Sequence, residues 1–373
     1  MLKEGYNIAV YIEGTRSRSG KLLQPQLGML SILLHAFFEG ACKDMIFVPV
    51  FIAYDRIPDE GSYLHEISGG KKSAESFRQM LKAKRILKDR YGKVHLNFGR
   101  PLGLNDMLAE QGLTGAVLSA KQQNSLCRDI GDQMMNAINR QTVVTPQSLV
   151  AGALLSGGRE IISRKELTFR IEASMNQFYA QGSCLADTLA DGHQSAVEIA
   201  LYHFRGRKFI QWVDAKAKDQ VRHNAWRIVE NRRNALDYYK NISICHFIPP
   251  AFTALAILEK DAFQLSSADL HVTYRRLQDL FCEEFIPDPN HPPAYTVRKT
   301  VKAFIDNAIL VPHPVMPDTY NISSEGYRKL VFFAGYIEPF LESYRTALVY
   351  FATNRRNHHH KAKMLKKMLA LGN

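Results

Sequence analysis

Short apolar segments alternate with helical patterns in the N-terminal part of the chain. Residues 8–12 and 45–53 are apolar runs rich in β-branched and aromatic side chains, which predict buried strands, and residues 93–98 alternate in polarity as a strand does. Residues 27–38 are apolar on most faces and predict a buried helix, whereas residues 73–90 carry the apolar stripe of an amphipathic helix. This alternation of strands and helices predicts an α/β sheet domain.

Helical signals dominate the remainder of the chain. Residues 163–166 have the Ser-x-x-Glu pattern of a helix capping box, and residues 266–269 have the composition of a second helix start. A helix is predicted over residues 297–307. A longer helix is predicted over residues 324–354, with an interruption near Pro339 because proline breaks the helical ladder.

The change of pattern divides the chain into two predicted regions. With 373 residues the chain is long enough for two domains. We predict an α/β sheet domain over residues 1–140, followed by a mainly α-helical C-terminal domain over residues 141–373. Within the first region, Pro49 cannot donate a hydrogen bond to a strand ladder and predicts a bulge or a strand edge.

The net charge narrows the classes of partner. Lys and Arg number 48 against 36 Asp and Glu, a formal net charge of +12. Such an excess favours nucleic acid, anionic lipid headgroups or phosphorylated substrates. No nucleic-acid-binding motif occurs in the sequence, so we do not expect a nucleic-acid partner.

The cysteines and the apolar runs indicate the compartment. The five cysteines are widely spaced and form no Cys-x-x-Cys pair, so the sequence supports neither a zinc site nor a disulfide framework. We expect no metal or cofactor and a reducing, cytosol-facing environment. The start of the chain is not a signal peptide, and the longest apolar runs are too short or too interrupted for a membrane-spanning helix. Membrane contact is therefore expected to be peripheral.

The segment that follows residues 8–12 is the most informative for chemistry. It combines a tight-turn glycine, two arginines and several hydroxyls in the run Glu13-Gly14-Thr15-Arg16-Ser17-Arg18. Arginines with hydroxyl and backbone N–H donors suit a dianionic phosphate, and open α/β sheets bind ligands beyond their strand ends. The segment therefore predicts a phosphate-binding loop; a solvated basic loop is the alternative.

The same segment resembles the third conserved block of glycerolipid acyltransferases, Phe/Tyr-x-Glu-Gly-x-Arg-Ser-Arg. Residues 48–50, Val-Pro-Val, resemble the fourth block. Further similarity to the glycerol-3-phosphate and dihydroxyacetone-phosphate branch includes residues 238–242, Tyr-Tyr-Lys-Asn-Ile. The resemblance implies that residues 1–140 are the C-terminal part of an acyltransferase α/β domain.

The resemblance also implies roles for individual residues. Arg16 and Arg18 are expected to hold the phosphate of the acceptor, and Glu13 to orient the acceptor or the loop. Gly14 would let the backbone approach closely, with Thr15 and Ser17 as flanking donors, and Pro49 would shape the strand beside the acyl-binding cleft. The implied partners are acyl-CoA or acyl carrier protein as acyl donor, glycerol 3-phosphate, and an anionic membrane surface on the cytoplasmic face.

The implied reaction is transfer of a fatty acyl group from a thioester to position 1 of sn-glycerol 3-phosphate, the first step of phospholipid synthesis. Dihydroxyacetone phosphate is an alternative acceptor, since it also has a phosphate and a primary hydroxyl. A non-catalytic, membrane-associated phosphate-binding fragment is a further alternative.

That last alternative arises because the family's Asn-His-x-x-x-x-Asp block is absent from these residues. Only His313 and Asp318 have the His–Asp spacing, and they lack the Asn and lie far beyond the loop. No catalytic residue is assigned, and we expect the chain as given to be inactive alone. His246, beside a predicted Pro-Pro turn, is interpreted as a packed histidine. A nucleophilic pair with Cys245 is not expected, because neighbours on a helix point to different faces.

Overall fold

The structure is a computed structural model of the chain. The predicted helix over residues 73–90 lies outside the residues that it describes. These are residues 1–15, 17–57, 92–115, 118–158, 160–213, 224–260, 264–288, 290–354 and 361–372.

The described N-terminal part combines short antiparallel ladders with three α-helices. Strand β1 pairs with β4, and β2 pairs with β3. The elements in chain order are a 3-10 helix (Leu2–Glu4), α1 (Leu27–Phe38), β1 (Ile46–Phe47), β2 (Val50–Tyr54), β3 (Val94–Phe98), β4 (Leu102–Gly103), α2 (Leu104–Glu110) and α3 (Ala120–Arg140).

A bulge separates the two ladders at Pro49. Residues 48 and 49 on one side face residues 99–101 on the other, so that two residues oppose three. The Gly99 N–H donates to the Pro49 carbonyl at 2.7 Å, and Pro49 is buried. The bulge predicted from the proline is confirmed.

The strand predicted over residues 8–12 is wrong. These residues form no ladder, and the side chains of residues 8–11 are exposed. A strand forms when its backbone groups pair with a neighbour, and the ladders in the described residues join other segments. The one backbone bond recorded for residue 12 is its carbonyl accepting from Gln26 N–H at 2.8 Å.

Burial of the sheet and of α1 is one-sided, which corrects the prediction of a buried strand and a buried helix there. In β2, Phe51 and Ala53 are buried, while Ile52 is 44% exposed. In α1, Leu34 is buried and Ile32 is 65% exposed. An isolated two-stranded ladder packed on one side leaves alternate side chains in solvent.

The second part of the chain is mainly helical, so the predicted order of an α/β region followed by a helical region is confirmed. Its described residues also form two small antiparallel sheets, in the strand orders β5-β7-β6 and β8-β10-β9. The elements are α4 (Pro146–Leu155), β5 (Ile161–Ser163), α5 (Arg164–Gln181), α6 (Asp187–Ala190), α7 (His193–Gly206), β6 (Ile210–Val213), β7 (Ala225–Ile228), a 3-10 helix (Glu230–Arg232), α8 (Arg233–Asn241), α9 (Ile244–Leu258), β8 (Gln264–Ser266), α10 (Ser267–Leu280), α11 (Pro293–Asp306), β9 (Leu310–Pro312), β10 (Thr319–Ile322), α12 (Gly326–Ala334), α13 (Glu338–Thr353) and α14 (Lys361–Gly372).

The helix starts predicted at Ser163 and Ser266 are confirmed, but the capping box at residues 163–166 is only half formed, because the Glu166 carboxylate pairs with Arg170 and Arg328. Ser163 Oγ accepts from the Glu166 N–H at 3.1 Å, and Ser266 Oγ accepts from the Asp269 N–H at 3.4 Å. The predicted long helix is interrupted between α12 and α13. Pro339 lies in the first turn of α13, where a missing N–H costs no helical hydrogen bond.

Separate hydrophobic clusters support the two parts. One packs α1 against α2 and α3 around Ile130, and a larger one fills the helical region around Phe247. A small cluster of Phe51, Val143 and Ala186 connects β2 to the helical region. The boundary between residues 140 and 141 stays a prediction.

Among the described residues, no single helix is both long and apolar enough to cross a bilayer. Taken together, the segments Glu230–Asn241 and Ile244–Leu258 are long and apolar enough to cross a bilayer. However, the chain bends by 95° between them. The second of these is α9, and it contains Pro249 and Pro250 in its interior. The predicted Pro-Pro turn is therefore wrong, because packing of the buried α9 outweighs the helix-breaking tendency of the two prolines.

Arg170 on α5 joins helices inside the larger cluster. Only 4% of Arg170 is exposed. Its guanidinium donates to the carbonyls of Ala153 at 3.0 Å and Ser156 at 2.6 Å, which satisfies the end of α4. Glu166 lies 2.8 Å away as its ion-pair partner. Burial raises the pKa of the Glu166 carboxyl, but hydrogen bonds from Arg170 and Arg328 outweigh this effect and bring the pKa below its usual value.

We expect Arg170→Met to lower the free energy of unfolding by about 3–5 kcal/mol, because it leaves the Ala153 and Ser156 carbonyls without their donor and removes one of the two arginine partners of the half-buried Glu166. Arg164→Met is the matched control: its pair with Glu198 is more than half exposed on both sides, so the loss is about 0–1 kcal/mol. Urea unfolding measures both. Because the pKa of Glu166 is lowered in the folded state, the contribution is present above about pH 4.3 and lost as pH falls through the folded pKa. Equal losses in the two variants at pH 7 contradict this account.

Candidate functional site

The arginine-containing segment forms a loop whose ends are held together. The Gly14 N–H donates to the Tyr11 carbonyl at 2.9 Å, and the Gln26 N–H donates to the Ile12 carbonyl at 2.8 Å. Gly14 has a φ of 63°, which a glycine adopts without strain. The chain therefore forms a closed loop over residues 13–25, between the extended N-terminal segment and α1. We call residues 13–25 the phosphate loop, after its predicted ligand.

Glu13 braces the phosphate loop from inside. Its Oε2 accepts from the Leu23 N–H at 2.9 Å, across the loop. Burial raises the pKa of Glu13 above its usual value, and the Leu23 hydrogen bond opposes this rise. Of the two roles expected for Glu13, this contact supports the orientation of the loop.

The helical region grips the middle of the phosphate loop. The Asn241 side chain donates from Nδ2 to the Ser19 carbonyl at 2.8 Å. Gly20 has a φ of 81°, and a Cβ placed on it would lie 2.3 Å from the Tyr238 carbonyl oxygen. Only glycine fits against α8 at this position, so the loop and α8 are fitted to each other.

Lys21 provides a second attachment. Its ammonium forms an ion pair with Glu284, and it lies over the Phe340 ring at 4.9 Å and the Phe285 ring at 5.6 Å from the centroids. Cation–π contacts of a partly desolvated lysine add to the ion pair. Lys21 is therefore a structural anchor of the loop.

The remaining loop residues carry the side chains that are predicted to donate hydrogen bonds to the phosphate. Thr15 and Arg18 are exposed to solvent, whereas the Ser17 Oγ is buried and has no hydrogen-bond partner within the described residues. Arg16 lies outside the described residues. A buried hydroxyl without a partner is costly, and a bound anion that accepts its hydrogen bond removes that cost.

Pro49 lies in the bulge between the two ladders, where its carbonyl accepts a hydrogen bond from the Gly99 N–H. The structure thus gathers Glu13, Gly14, Thr15, Ser17 and Arg18 in one loop. It places Pro49 at the junction of β1 and β2.

The phosphate loop also forms one wall of a cavity in the helical region. The cavity has a volume of about 380 Å³, within the range of small-molecule sites. Lys21 and Leu22 line it from the loop, and Cys245 and His246 line it from α9. Sequence reasoning did not assign the cavity or the anchor Asn241. The one signal for Asn241 was the similarity over residues 238–242.

The sequence argues against His313 and Asp318 as a catalytic dyad, and the contacts of His313 agree with that interpretation. Its Nδ1 accepts from the backbone N–H groups of Val315 at 3.2 Å and Met316 at 3.0 Å, which makes it a turn-capping residue. Within the described residues, no group of three or more His, Cys, Asp or Glu side chains could hold a metal ion.

Comparison with known proteins assigns the chain to a family. Residues 63–373 match the family described as "Glycerol-3-phosphate acyltransferase C-terminal region". The chain belongs to the glycerol-3-phosphate acyltransferase family. Residues 1–53, which contain the phosphate loop, match the family described as "Acyltransferase", so the suspected resemblance is confirmed.

The relatives of this chain are named as two kinds of acyltransferase. The glycerol-3-phosphate acyltransferase of Pseudomonas putida is 29% identical over 283 residues, which cover 74% of this chain and 33% of that protein. The dihydroxyacetone phosphate acyltransferase of Oryctolagus cuniculus is 26% identical over 387 residues, which cover 96% of this chain and 54% of that protein. The chain therefore spans a third to about half the length of these relatives.

The fit of Gly20 against α8 gives a stability prediction. Gly20→Ala forces an alanine into the left-handed region, which costs about 1–2 kcal/mol, and drives its Cβ into the Tyr238 carbonyl. We expect a lower free energy of unfolding by at least that amount, and faster proteolysis within the loop.

Gly28→Ala is the matched control. Gly28 lies in the first turn of α1, and a Cβ there meets nothing within 4 Å. Alanine is the better helix former, so this variant should be neutral or more stable by up to about 1 kcal/mol. Identical melting of the Gly20→Ala variant and the wild type would show that the loop is not fitted to α8.

Proposed function

We propose that the phosphate loop holds the phosphate of the acceptor in an enzyme that transfers a fatty acyl group from a thioester to position 1 of sn-glycerol 3-phosphate. The observation that carries the proposal is the buried Ser17 hydroxyl, which has no hydrogen-bond partner among the described residues, next to the exposed Arg18 in a loop that is anchored at both ends and in its middle. A preformed set of donors binds an anion without having to be ordered first.

The chemistry of the loop suits a dianion. Arg18 supplies a planar fork of N–H donors that matches the geometry of a phosphate. Charge-assisted hydrogen bonds are roughly twice as strong as neutral ones, so an arginine is expected to contribute more to the affinity than a hydroxyl donor. Arg16 is proposed as the second arginine of the site, on the resemblance of the sequence alone.

Dihydroxyacetone phosphate is the alternative acceptor. It presents the same phosphate and a primary hydroxyl, and relatives of this chain are named for each acceptor. The phosphate loop would serve both molecules. As acyl donor we propose acyl-CoA or acyl carrier protein.

We also propose that the protein works at the cytoplasmic face of a membrane, as a peripheral protein. The net charge of +12 supports this location, because each well-placed Lys or Arg adds about 1 kcal/mol of attraction near an anionic lipid surface. The product of the proposed reaction also partitions into the bilayer.

The role of the loop is tested by calorimetric titration of the 373-residue chain with glycerol 3-phosphate. We expect Arg18→Ala to weaken binding by roughly 10- to 150-fold, since a lost charge-assisted partner costs about 1.5–3 kcal/mol. Arg18→Lys should recover part of the loss, because an ammonium lacks the planar fork. Arg275→Ala, which removes an exposed arginine of α10, should leave the affinity unchanged.

Ser17→Ala distinguishes ligand binding from a structural role in the same titration. If Ser17 donates to the phosphate, the variant binds several-fold more weakly, at about 0.5–1.5 kcal/mol. A gain in melting temperature with unchanged affinity would show that the hydroxyl is only an unsatisfied buried group. Unchanged affinity in Arg18→Ala as well would refute the proposed phosphate site.

A further inference from the structure

The 380 Å³ cavity has an apolar wall. It consists of Ile248 and Phe252 from α9, Tyr274 from α10, and Phe281 and Phe285 from the segment after α10. The Phe252 and Phe281 rings stack with their centroids 5.8 Å apart, and Phe252 meets Tyr274 edge to face at 5.5 Å. Aromatic side chains that pack on one another in this way form an ordered surface, so an apolar ligand binds without having to arrange it first.

The charged residues of the cavity lie on its solvent side. Arg140 lies 3.7 Å from Asp288, and the His291 ring lies 2.9 Å from the same carboxylate. The side chains of Arg140 and His291 are 41% and 45% exposed, and Lys299 is also exposed. The cavity thus has a buried aromatic side and an exposed charged side. This combination fits a ligand with one apolar chain and one polar end.

One buried polar atom at the cavity has no partner among the described residues. Gln181, the last residue of α5, lines the cavity and is only 9% exposed. Its Nε2 makes no hydrogen bond there, and a buried amide N–H that is left unpaired is destabilising. A ligand that places an acceptor oxygen at this wall satisfies the amide. The ligand that fits the cavity therefore carries a carbonyl or carboxylate as well as an apolar chain.

His246 and Cys245 are held by the backbone instead. His246 Nε2 lies 2.8 Å from the Thr142 carbonyl oxygen, and Cys245 Sγ lies 4.0 Å from the Asn139 carbonyl oxygen. These contacts agree with the interpretation of His246 as a packed histidine. Both residues are accordingly part of the cavity wall, and neither is needed as a reactant.

The cavity adjoins the phosphate loop. Lys21 and Leu22 belong to the loop and line the cavity, and the Lys21 ammonium lies 5.6 Å from the centroid of the Phe285 ring in the apolar wall. Arg18 precedes Lys21 by three residues, so their Cα atoms are at most about 11 Å apart. A molecule whose phosphate is held at Arg18 therefore has the cavity within reach of its other end.

We propose that the cavity holds the fatty acyl chain that the proposed reaction transfers, with the acyl carbonyl oxygen at Gln181. This assignment rests on the proposed function, because it makes the loop and the cavity two parts of one site. In that reaction the bond from the acyl carbon to the donor sulfur breaks, the bond to the acceptor oxygen forms, and the hydroxyl proton ends on the donor thiol. Only the acyl carbon changes partner, so the chain stays in the cavity from donor to product.

Binding of the acyl chain is measured with cis-parinaric acid, a fatty acid that becomes fluorescent in an apolar site. The 373-residue chain should bind it, and palmitoyl-CoA and 1-palmitoyl-sn-glycerol 3-phosphate should each displace it. Octanoyl-CoA should compete more weakly, by up to about fourfold for each methylene group that is no longer buried. Glycerol 3-phosphate, which has no acyl chain, should not displace the probe. Failure of palmitoyl-CoA to displace it overturns the proposal.

Variants of α10 separate the cavity from nonspecific binding of a fatty acid. Gln278 lines the cavity and is half-buried, so Gln278→Trp places an indole there and should weaken binding of the probe by about 10-fold or more. Arg275→Trp is the matched control, because Arg275 is exposed on the same helix and lies outside the lining. It should bind the probe like the wild type. Equal affinities in the two variants, with unchanged melting temperatures, overturn the proposal.

Gln181→Leu tests the position of the carbonyl. Leucine has a similar size but no amide, so palmitoyl-CoA should bind roughly 2- to 10-fold more weakly. S-hexadecyl-CoA, a thioether that has the chain but no carbonyl, should bind the variant and the wild type equally. Equal weakening of both ligands, or of neither, contradicts the placement of the carbonyl at Gln181.

A palmitate that carries a photoreactive diazirine locates the chain without any substitution. Irradiation of the wild-type chain should label peptides that contain residues 244–252 or 274–285, and labelling confined to other peptides overturns the proposal. Arg18→Ala should leave the labelling unchanged, because palmitate has no phosphate. A failed phosphate site thus leaves palmitate binding intact, and a failed cavity leaves glycerol 3-phosphate binding intact, so the two proposals are tested separately.

Discussion

The attachment of the phosphate loop to α8 is the constraint on which the candidate site depends. Asn241 holds the Ser19 carbonyl, and Gly20 lies so close to the Tyr238 carbonyl that no side chain fits between them. A short loop rich in Arg and Ser has many conformations in isolation, and ordering it costs about 1–2 kcal/mol per residue. The helical region supplies contacts that offset part of this cost.

The phosphate loop and the cavity share a wall, and Lys21 is the shared residue. Its ion pair with Glu284 and its position over Phe340 hold the loop against the segment that follows α10. A displacement of the loop therefore changes the shape of the cavity that contains Cys245.

Local patterns in the sequence were sufficient to predict part of this structure. The caps at Ser163 and Ser266 and the break near Pro339 depend on neighbouring residues, and they were predicted correctly. The prediction of a strand over residues 8–12 failed because strand pairing depends on a distant partner that no local pattern reveals. The contact of Asn241 with Ser19 spans 222 residues of sequence, so composition could indicate a phosphate loop but not what holds it.

The most direct test of the account is hydrogen–deuterium exchange of the 373-residue chain with and without glycerol 3-phosphate. If the anchored loop is the binding site, exchange slows in peptides that cover residues 11–26 and residues 238–242, since ligand binding suppresses opening of the loop and of its contact with α8. Peptides of α14 should be unchanged. Unchanged exchange over residues 11–26 at saturating glycerol 3-phosphate, or slowing confined to another part of the chain, would contradict the account.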